Sequence, residues 1–506
     1  MEAPKSEDLH PAAHPLHHSD EPALRAAATF VNRYWVRILA ISACTLIPCF
    51  WHREIEAADL GSHVYNAWLV QLIHRGEVHG LWIDHRWNNI LFDYLLSGIG
   101  TLFGLRAAER IAVSLCVLIF LWGMFALVCA AARRAPWYLV PGLAAFAYGW
   151  TFEMGFFNYY LALGLSFFAL AIFWRGRGWE RLIPVAIAPF IILAHPLGLF
   201  WLIGACTYVW LAERIPPRHH IFILLGAAAA LWGVHRYLET HFTVEALSDH
   251  PYWFNGADQL VLFGQRYRMI ERAFLVFVLV AIATDAVQRF HHKRFWAVYF
   301  IPLQLYASVC IAVVLLPHSI RIPQHVGAIA LLTDRLTSVS AALLLCVLGT
   351  LRPSRWHFAA LLVIPGAFFV LVYRDTGVIN RMEDQVVRLV HTLPPNQRVL
   401  GTIEPPLDSR VPPQHILDRA CIGYCFSYGN YEPGTAMFRV RAMPGNPYVL
   451  SSYDLAVEME EGDYTVTPQD LFVYQVYQCS MSGTELCIHP LEAGEDNDDL
   501  GVHPDE

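Results

Sequence analysis

The chain has 506 residues, of which 56% are hydrophobic and only 15% are charged, and its formal net charge is −8. Soluble globular proteins carry about 25% charged residues, so much of this chain has no water to face. The negative charge comes largely from the C-terminal tail, and no basic patch stands against it, which argues against a nucleic-acid partner.

The membrane part follows a polar start. Residues 1–33 are polar and His-rich and predict a disordered cytoplasmic arm. From residue 34 to 373, apolar runs of about 17–25 residues follow one another, which is enough to cross the bilayer core. Lipid offers the backbone no hydrogen bonds, so these runs predict helices. We predict an all-α polytopic bundle with about eleven transmembrane helices, near 34–51, 110–131, 137–153, 156–174, 181–195, 197–213, 219–238, 272–290, 295–317, 334–351 and 356–373.

Loop charges predict the orientation, because basic residues beside short loops favour the cytoplasm. With the N-terminus inside, five alternate loops are short and basic, at 133–134, 175–181, 214–220, 291–294 and 352–355. This alternation requires residues 88–104 to lie as a helix at the outer interface rather than to cross. The localisation predicted is the inner (cytoplasmic) membrane of a bacterium, with the C-terminal domain outside.

Residues 374–490 predict a small extracytoplasmic α/β domain, followed by an acidic disordered tail over 491–506. An amphipathic helical pattern covers 382–393, and strand-like runs occur at 398–403, 448–450 and 472–477.

The cysteines divide in the same way as the charges. Seven of the eleven lie in apolar runs, where cysteine acts as a small apolar residue. The other four, Cys421, Cys425, Cys479 and Cys487, all lie in the C-terminal domain. An even number in an oxidising compartment predicts two disulfides of unknown connectivity. A zinc site and free thiols are the alternatives.

The outer loop over residues 52–109 holds the polar residues that suggest chemistry. Glu54, Glu56 and Asp59 fall within six residues, and His63 follows on the same helical face as Asp59. Carboxylates near a membrane raise one another's pKa, so they are costly unless they bind a cation or transfer protons. One of them is a candidate general base towards an acceptor hydroxyl.

This segment resembles the first outer loop of the GT-C superfamily of membrane glycosyltransferases, which includes protein mannosyltransferases and aminoarabinose transferases. Their acidic motif often reads Asp-Glu-x-x-Tyr, with Ala four residues later and a Gly ending the helix. Here Asp59 matches the catalytic Asp, and Ala67 and Gly76 follow at the corresponding places. Leu60 replaces the Glu and His63 replaces the Tyr, so Glu54 or Glu56 would have to supply a second carboxylate.

The resemblance extends over most of residues 34–373. Ala132-Arg133-Arg134, the Asn158–Gly164 run and Leu193-Ala-His195-Pro196 are similar to segments of bacterial members. It implies transfer of a sugar from a polyprenyl-phosphate-linked donor to an acceptor of unknown identity on the outer face. In some relatives a divalent cation, Mg or Mn, helps to bind the phosphate.

A phosphate-linked donor needs a cationic partner, and Arg335 and Arg321 are the preferred candidates among the outer-side arginines, which also include Arg266, Arg268 and Arg272. Glu153, Asn158 and His195 lie at the ends of apolar runs and are candidates for the substrate cavity.

Each candidate also has a structural interpretation. Asp59 is a favoured helix N-cap, His63 is a histidine that bonds a neighbour, and His195 ends a helix before Pro196. Glu54 and Glu56 are solvated interface residues on this interpretation, and Arg335 pairs with a neighbour or snorkels. A transporter and a non-catalytic membrane scaffold with an envelope-binding outer domain are the alternative functions.

Overall fold

The computed structural model describes residues 22–245, 255–289, 295–321, 328–403, 409–413, 415–435, 438–480 and 484–495. Its α-helices are α1 (Ala23–Thr45), α2 (Leu60–Arg75), α3 (Leu91–Phe103), α4 (Leu105–Ala132), α5 (Val140–Ala147), α6 (Trp150–Glu153), α7 (Phe157–Arg175), α8 (Ile183–Ala194), α9 (Pro196–Arg214), α10 (His220–His241), α11 (Gly264–Arg289), α12 (Phe295–Leu315), α13 (Leu332–Thr350), α14 (Arg355–Val390), α15 (Ile416–Cys421) and α16 (Tyr453–Glu461). The strands are β1 (Leu81–Ile83), β2 (Thr243–Glu245), β3 (Ser319–Arg321), β4 (Ala328–Ile329), β5 (Arg398–Thr402), β6 (Phe426–Ser427), β7 (Val440–Ala442), β8 (Val473–Gln478) and β9 (Leu486–Pro490).

Within the described residues, six helical segments are long and apolar enough to cross a membrane: Leu105–Ala132, Phe157–Arg175, Pro196–Arg214, Pro217–His241, Leu332–Thr350 and Arg355–Val390. This is consistent with an integral membrane protein. The other five predicted spans also contain helix, but α8 has 12 residues, and α5 and α6 are separated by a break at Tyr148 and Gly149. The count of eleven therefore stays a prediction.

The first helix begins earlier than the sequence predicts. Residues 23–33, assigned above to a disordered arm, form the first part of α1, which is kinked at Tyr34. The backbone N–H groups of Ala23 and Leu24 donate to the two carboxylate oxygens of Glu180, at 2.9 and 2.8 Å. A distant carboxylate therefore satisfies the helix N-terminus. Residues 1–21 lie outside the described residues.

Helices α4 and α7 form the centre of the bundle through close backbone contact. A Cβ on Gly123 would lie 2.4 Å from the carbonyl oxygen of Gly164, so neither helix tolerates a side chain there. Beside this contact, the ring of Phe120 stacks on Tyr160 at 4.1 Å between centroids. Small residues bring membrane helices together in this way. The contact fixes α7, and with it the turn that precedes α7.

The last membrane helix does not stop at the predicted domain boundary. Helix α14 is 36 residues long and ends only at Val390. The amphipathic pattern predicted as a separate helix over 382–393 is therefore mostly its C-terminal part. The Cβ position of Gly377 lies 3.1 Å from the His52 ring, which packs α14 against the start of the outer loop.

The C-terminal part contains a four-stranded sheet in the order β6-β5-β8-β9, with β5 parallel to β6 and β8 and with β9 antiparallel to β8. The strands predicted at 398–403 and 472–477 are confirmed as β5 and β8, whereas residues 448–450 are irregular. Asn446 explains this, because its side-chain oxygen accepts the N–H groups of Tyr448 and Val449 and forms a turn.

The outer loop and the C-terminal part share a two-stranded sheet. Strand β1 of the loop pairs antiparallel with β7, from Leu81 opposite Ala442 to Ile83 opposite Val440. Beside this pair, Arg441 donates to the Asp84 carboxylate at 3.0 Å. Helix α3, predicted as the interfacial helix 88–104, follows directly and packs on α4.

The four cysteines of the C-terminal part form two disulfides, as predicted. Cys421 pairs with Cys425 at the end of α15, and Cys479 pairs with Cys487 across β8 and β9. The Cα–Cα separations are 4.6 and 5.3 Å. Both pairs are local in sequence, so each disulfide closes a short loop. The zinc site and the free thiols are thereby excluded for these four residues.

Candidate functional site

Asp59 is held by a tight turn between α6 and α7. The N–H of Ala58 donates to the carbonyl of Glu153 at 2.7 Å, and the N–H of Asp59 donates to Met154 at 3.2 Å. Gly155 has a φ of +76°, and a Cβ there would lie 2.6 Å from the Asp59 nitrogen. Only glycine accepts this conformation without strain at such close approach. The turn predicted around Glu153 and Asn158 therefore positions the start of α2.

The Asp59 side chain remains available for chemistry. Asp59 occupies the N-cap position of α2, but its side chain makes no capping hydrogen bond. The carboxylate keeps 25% of its exposure. Burial by the surrounding protein raises the pKa of Asp59, and the charges of His415, His63 and Arg335 oppose that rise. A partly exposed carboxylate with a raised pKa is suited to take a proton from a bound hydroxyl.

His63 belongs to a chain of hydrogen bonds that joins α2, α3 and α7. Its Nδ1 donates to Asp93 Oδ1 at 2.8 Å, and Asn158 donates to Asp93 Oδ2 at 2.9 Å. Burial alone would lower the pKa of His63, but the Asp93 carboxylate outweighs burial and raises it to about 9. His63 is therefore protonated at neutral pH. Both candidates, His63 and Asn158, meet at one carboxylate that the sequence had placed only at the interface.

Arg335 lies in the first turn of α13, close enough to Asp59 for the two charges to interact. Its guanidinium carbon lies 4.1 Å from the centre of the Phe156 ring, so the ring face supports the cation. Among the described residues, the buried Nε of Arg335 has no hydrogen-bond partner. A buried donor without a partner is costly, and an anionic ligand would satisfy it.

His195 lies on the other side of Arg335. Helix α8 ends at Ala194 just before it, as its structural interpretation predicted, and its Nδ1 also accepts the N–H of Leu197 at 3.2 Å, which caps α9. Its ring lies 5.3 Å from that of Tyr159, whose hydroxyl donates to the carbonyl of Arg335 at 2.8 Å. His195 therefore contributes to the surroundings of Arg335 and has a structural role as well.

The C-terminal part completes the site. His415 Nε2 lies 3.9 Å from Asp59 Oδ1, and His415 Nδ1 lies 2.9 Å from Asp418 Oδ2. Glu432 accepts the hydroxyl of Ser62 at 2.8 Å. Burial raises the pKa of Glu432 to about 7, against the lowering effect of the His63 charge. We call Asp59, His63, Asp93, Arg335, His415 and Glu432 the Asp59 cluster.

Glu56 lies in a different group of charges. We call Glu56, Glu109, Glu383 and Arg419 the Arg419 cluster. Arg419 donates to Glu383 at 3.0 Å and to the carbonyl of Ile55 at 2.9 Å, and it lies 3.5 Å from Glu109. Burial, and then the charge of Glu383, raise the pKa of Glu56 well above its usual value. Burial alone would lower the pKa of Arg419, but the surrounding carboxylates raise it.

Glu54 lies at the edge of this second cluster. It is partly buried, its carboxylate lies 3.3 Å from Arg53 and 3.6 Å from Arg106, and its N–H donates to Asn380 at 3.0 Å. The side-chain amide of Asn380 donates in turn to Glu56 at 2.6 Å. The three carboxylates that are close in sequence are thus divided: two face α14, and Asp59 faces α13.

A small cavity lies between the two clusters. Glu56 and Arg419 line it on one side and Gly61 and His415 on the other. Glu153 also lines it, is 2% exposed, and has one carboxylate oxygen without a partner among the described residues. These charged groups, set among apolar lining residues, allow the cavity to hold ordered water.

Arg321 and the divalent cation gain no support from the geometry. Arg321 is exposed on β3, opposite Thr243 and Ala328, and makes no contact with the Asp59 cluster among the described residues. Within those residues, no group of three or more His, Cys, Asp or Glu side chains is arranged to hold a metal ion.

The comparisons with known proteins identify no relative: no family model, no curated protein and no solved structure matches the chain. The sequence had missed Asp93, His415, Asp418, Arg419 and Glu432 as site residues. For Asp93, the available signal was a polar residue inside an apolar helix. The other four lie in the C-terminal part, whose sequence showed no resemblance to a known family.

Proposed function

We propose that the protein is a membrane glycosyltransferase that takes its sugar from a polyprenyl-phosphate-linked donor at the outer face of the membrane. The observation that carries this proposal is the proximity of a partly exposed carboxylate, Asp59, to a guanidinium, Arg335, whose Nε has no hydrogen-bond partner among the residues that the structure describes. A base and an anion-binding group are the two elements that such a transfer requires.

In the proposed reaction, Asp59 takes the proton of an acceptor hydroxyl while that oxygen attacks the anomeric carbon. The bond from the anomeric carbon to the phosphate oxygen breaks, and polyprenyl phosphate leaves with the electron pair. Arg335 binds the phosphate and stabilises the charge that develops on it. Attack opposite the leaving group inverts the anomeric centre.

The place of the site in the fold supports a lipid-borne donor. Arg335 lies near the start of α13, one of the six membrane-length helices, and Asp59 follows soon after α1. We propose that these helix ends lie at headgroup depth on the extracytoplasmic side, within a bundle of about eleven spans. A donor phosphate would reach Arg335 there by lateral diffusion. Disulfides in the C-terminal part support an oxidising compartment.

The test uses the full-length protein in lipid nanodiscs and radiolabelled polyprenyl-phosphate-linked glucose, mannose and arabinose. The measurement is release of labelled sugar to water or to added envelope extract. We expect Asp59→Asn to lower turnover by about 10²–10⁴-fold, because the amide cannot accept the proton. Its thermal unfolding should match that of the wild type.

Asp384→Asn is the matched control, because Asp384 pairs with Arg53 on the surface of α14 and lies outside the Asp59 cluster. It should retain wild-type turnover. Full activity in Asp59→Asn would remove Asp59 from the mechanism. A wild-type protein that releases sugar from none of the donors would overturn the enzyme and favour the scaffold. Solute flux in proteoliposomes would favour the transporter.

A further inference from the structure

The His415–Asp418 pair brings a second carboxylate into line with Asp59. Asp418 Oδ2 lies 2.9 Å from His415 Nδ1, which holds the Nδ1–H tautomer and turns the Nε2 lone pair towards Asp59. The imidazole side chain is 1% exposed and the Asp418 side chain 3%, so both are fixed by packing. The arrangement is carboxylate, imidazole, carboxylate.

The backbone geometry holds this line in place. A Cβ on Gly61 would lie 2.1 Å from the carbonyl oxygen of His415, so α2 rests directly on the residue that carries the imidazole. Tyr431 flanks the imidazole on another side, with 5.4 Å between ring centres. The 3.9 Å between His415 Nε2 and Asp59 Oδ1 is longer than a hydrogen bond, but catalytic contacts often tighten only when substrate binds.

On the basis of the proposed function, we infer that the His415–Asp418 pair is a proton relay that unloads Asp59 after each transfer. Asp59 gains the hydroxyl proton during transfer and must lose it before the next cycle. The proton passes from the Asp59 carboxyl to His415 Nε2 and leaves an imidazolium whose charge Asp418 balances. Nε2 then releases the proton to water. No electrons are exchanged, and Asp59 returns to its ionised form.

The cavity supplies the route for that release. It is lined by His415 and Gly61 and also by Glu56, Glu153 and Arg419, whose charged groups can hold ordered water there. Among the described residues, the ionisable groups near His415 include Asp59 at the N-cap of α2, Asp418 on α15, Tyr431, Glu432 near β7 and, across the cavity, Glu56, Glu153 and Arg419. In this proposal His415 acts on the reaction through Asp59.

The first measurement is independent of turnover. Infrared difference spectra of the full-length protein, wild type minus Asp59→Asn, isolate the Asp59 carboxyl band and its titration with pH. The His415 charge lowers the pKa of Asp59, so His415→Gln should move that titration to higher pH. Asp418→Asn should move it in the same direction, because the imidazolium loses its counter-charge. An unchanged titration in both variants would overturn the relay.

The second measurement uses the labelled donors. His415→Gln should lower kcat about 100-fold with the donor KM unchanged, and the acid limb of the pH–rate profile should move to higher pH. His235→Gln is the matched control, since His235 also pairs with a carboxylate, Glu239, at 3.1 Å on α10. Added imidazole should restore part of the rate in His415→Gly.

The outcomes separate the two proposals. Wild-type turnover that His415→Gln leaves unaltered, in rate and in pH profile, would overturn the relay and leave the glycosyltransferase standing. If the wild-type protein turns over none of the donors, the glycosyltransferase fails, and the infrared titration alone decides whether His415 exchanges a proton with Asp59.

Discussion

The Asp59 cluster and the Arg419 cluster both combine carboxylates with an arginine, but the two arginines differ in how closely carboxylates surround them. In the Arg419 cluster, the guanidinium lies within 3.5 Å of two carboxylates and also binds a backbone carbonyl. The Nε of Arg419 lacks a hydrogen-bond partner among the described residues, as does that of Arg335, but no described carboxylate lies within ion-pair distance of Arg335, whose cation rests on the Phe156 ring. A partnered charge network ties elements together, whereas unused binding capacity indicates a ligand.

The largest expected effect is a difference in unfolding free energy between a variant at Arg419 and a variant at Arg335. Arg419→Met leaves Glu109 and Glu383 buried without their cation, which should cost about 3–5 kcal/mol of unfolding free energy. Arg335→Met removes a cation that has no ion pair in the described part of the chain, so the cost should stay below about 1 kcal/mol. Thermal unfolding in nanodiscs measures both. Equal losses would abolish the distinction between a structural and a ligand-binding arginine.

A second prediction sharpens the Asp59 cluster through pH. Folding raises the pKa of His63 from 6.5 to about 9, so its contribution is fully present below pH 6.5 and is lost as the pH rises through 9. At about 1.4 kcal/mol per pKa unit, a rise of about 2.5 units corresponds to a loss of about 3.5 kcal/mol. Unfolding temperatures measured from pH 6 to 10 should show this decline.

Two variants check the cause of that decline. Asp93→Asn removes the partner of His63 and should flatten the decline between pH 6.5 and 9. Asp84→Asn is the control, because Asp84 pairs with Arg441 and its lowered pKa confines its effect to acid pH. A decline that persists in Asp93→Asn would assign it to another group.

The smallest expected effect concerns the disulfides, which lie outside both clusters. Each closes a loop of only a few residues, so removing one by Cys→Ser pairs should cost about 2–3 kcal/mol. When cells that express the protein are denatured without a reductant, a maleimide reagent should label the seven other cysteines and leave these four unlabelled. Four additional labelled thiols would place the C-terminal part in a reducing compartment.

The sequence predicted the helices far better than the site. Apolar runs locate α4, α7 and α13 because lipid requires helix wherever a long apolar run occurs. Helix ends were less predictable: α1 begins at Ala23 because the distant Glu180 caps it, and α14 continues past residue 373 because no breaker stops it.

The cluster itself depends on long-range contacts. Asp59, His63 and Arg335 stood out by residue type and place, but whether they act in catalysis stays a prediction. His415 and Glu432 reach the same site from a domain more than 350 residues further along the chain, and no local pattern marks them. Glu54 and Glu56 show the converse. They are close to Asp59 in sequence, but they face α14, whereas Asp59 faces α13.

The pairing of β1 with β7 has a consequence for how the protein is made. The Arg441 contact to Asp84 joins residues 357 apart, so the outer loop leaves the ribosome long before its partner strand exists. At about 5–20 residues per second, that interval is roughly 20–70 s. During it, β1 has an unpaired edge, and a chaperone or a translocon component on the receiving side would have to shield it from misassembly.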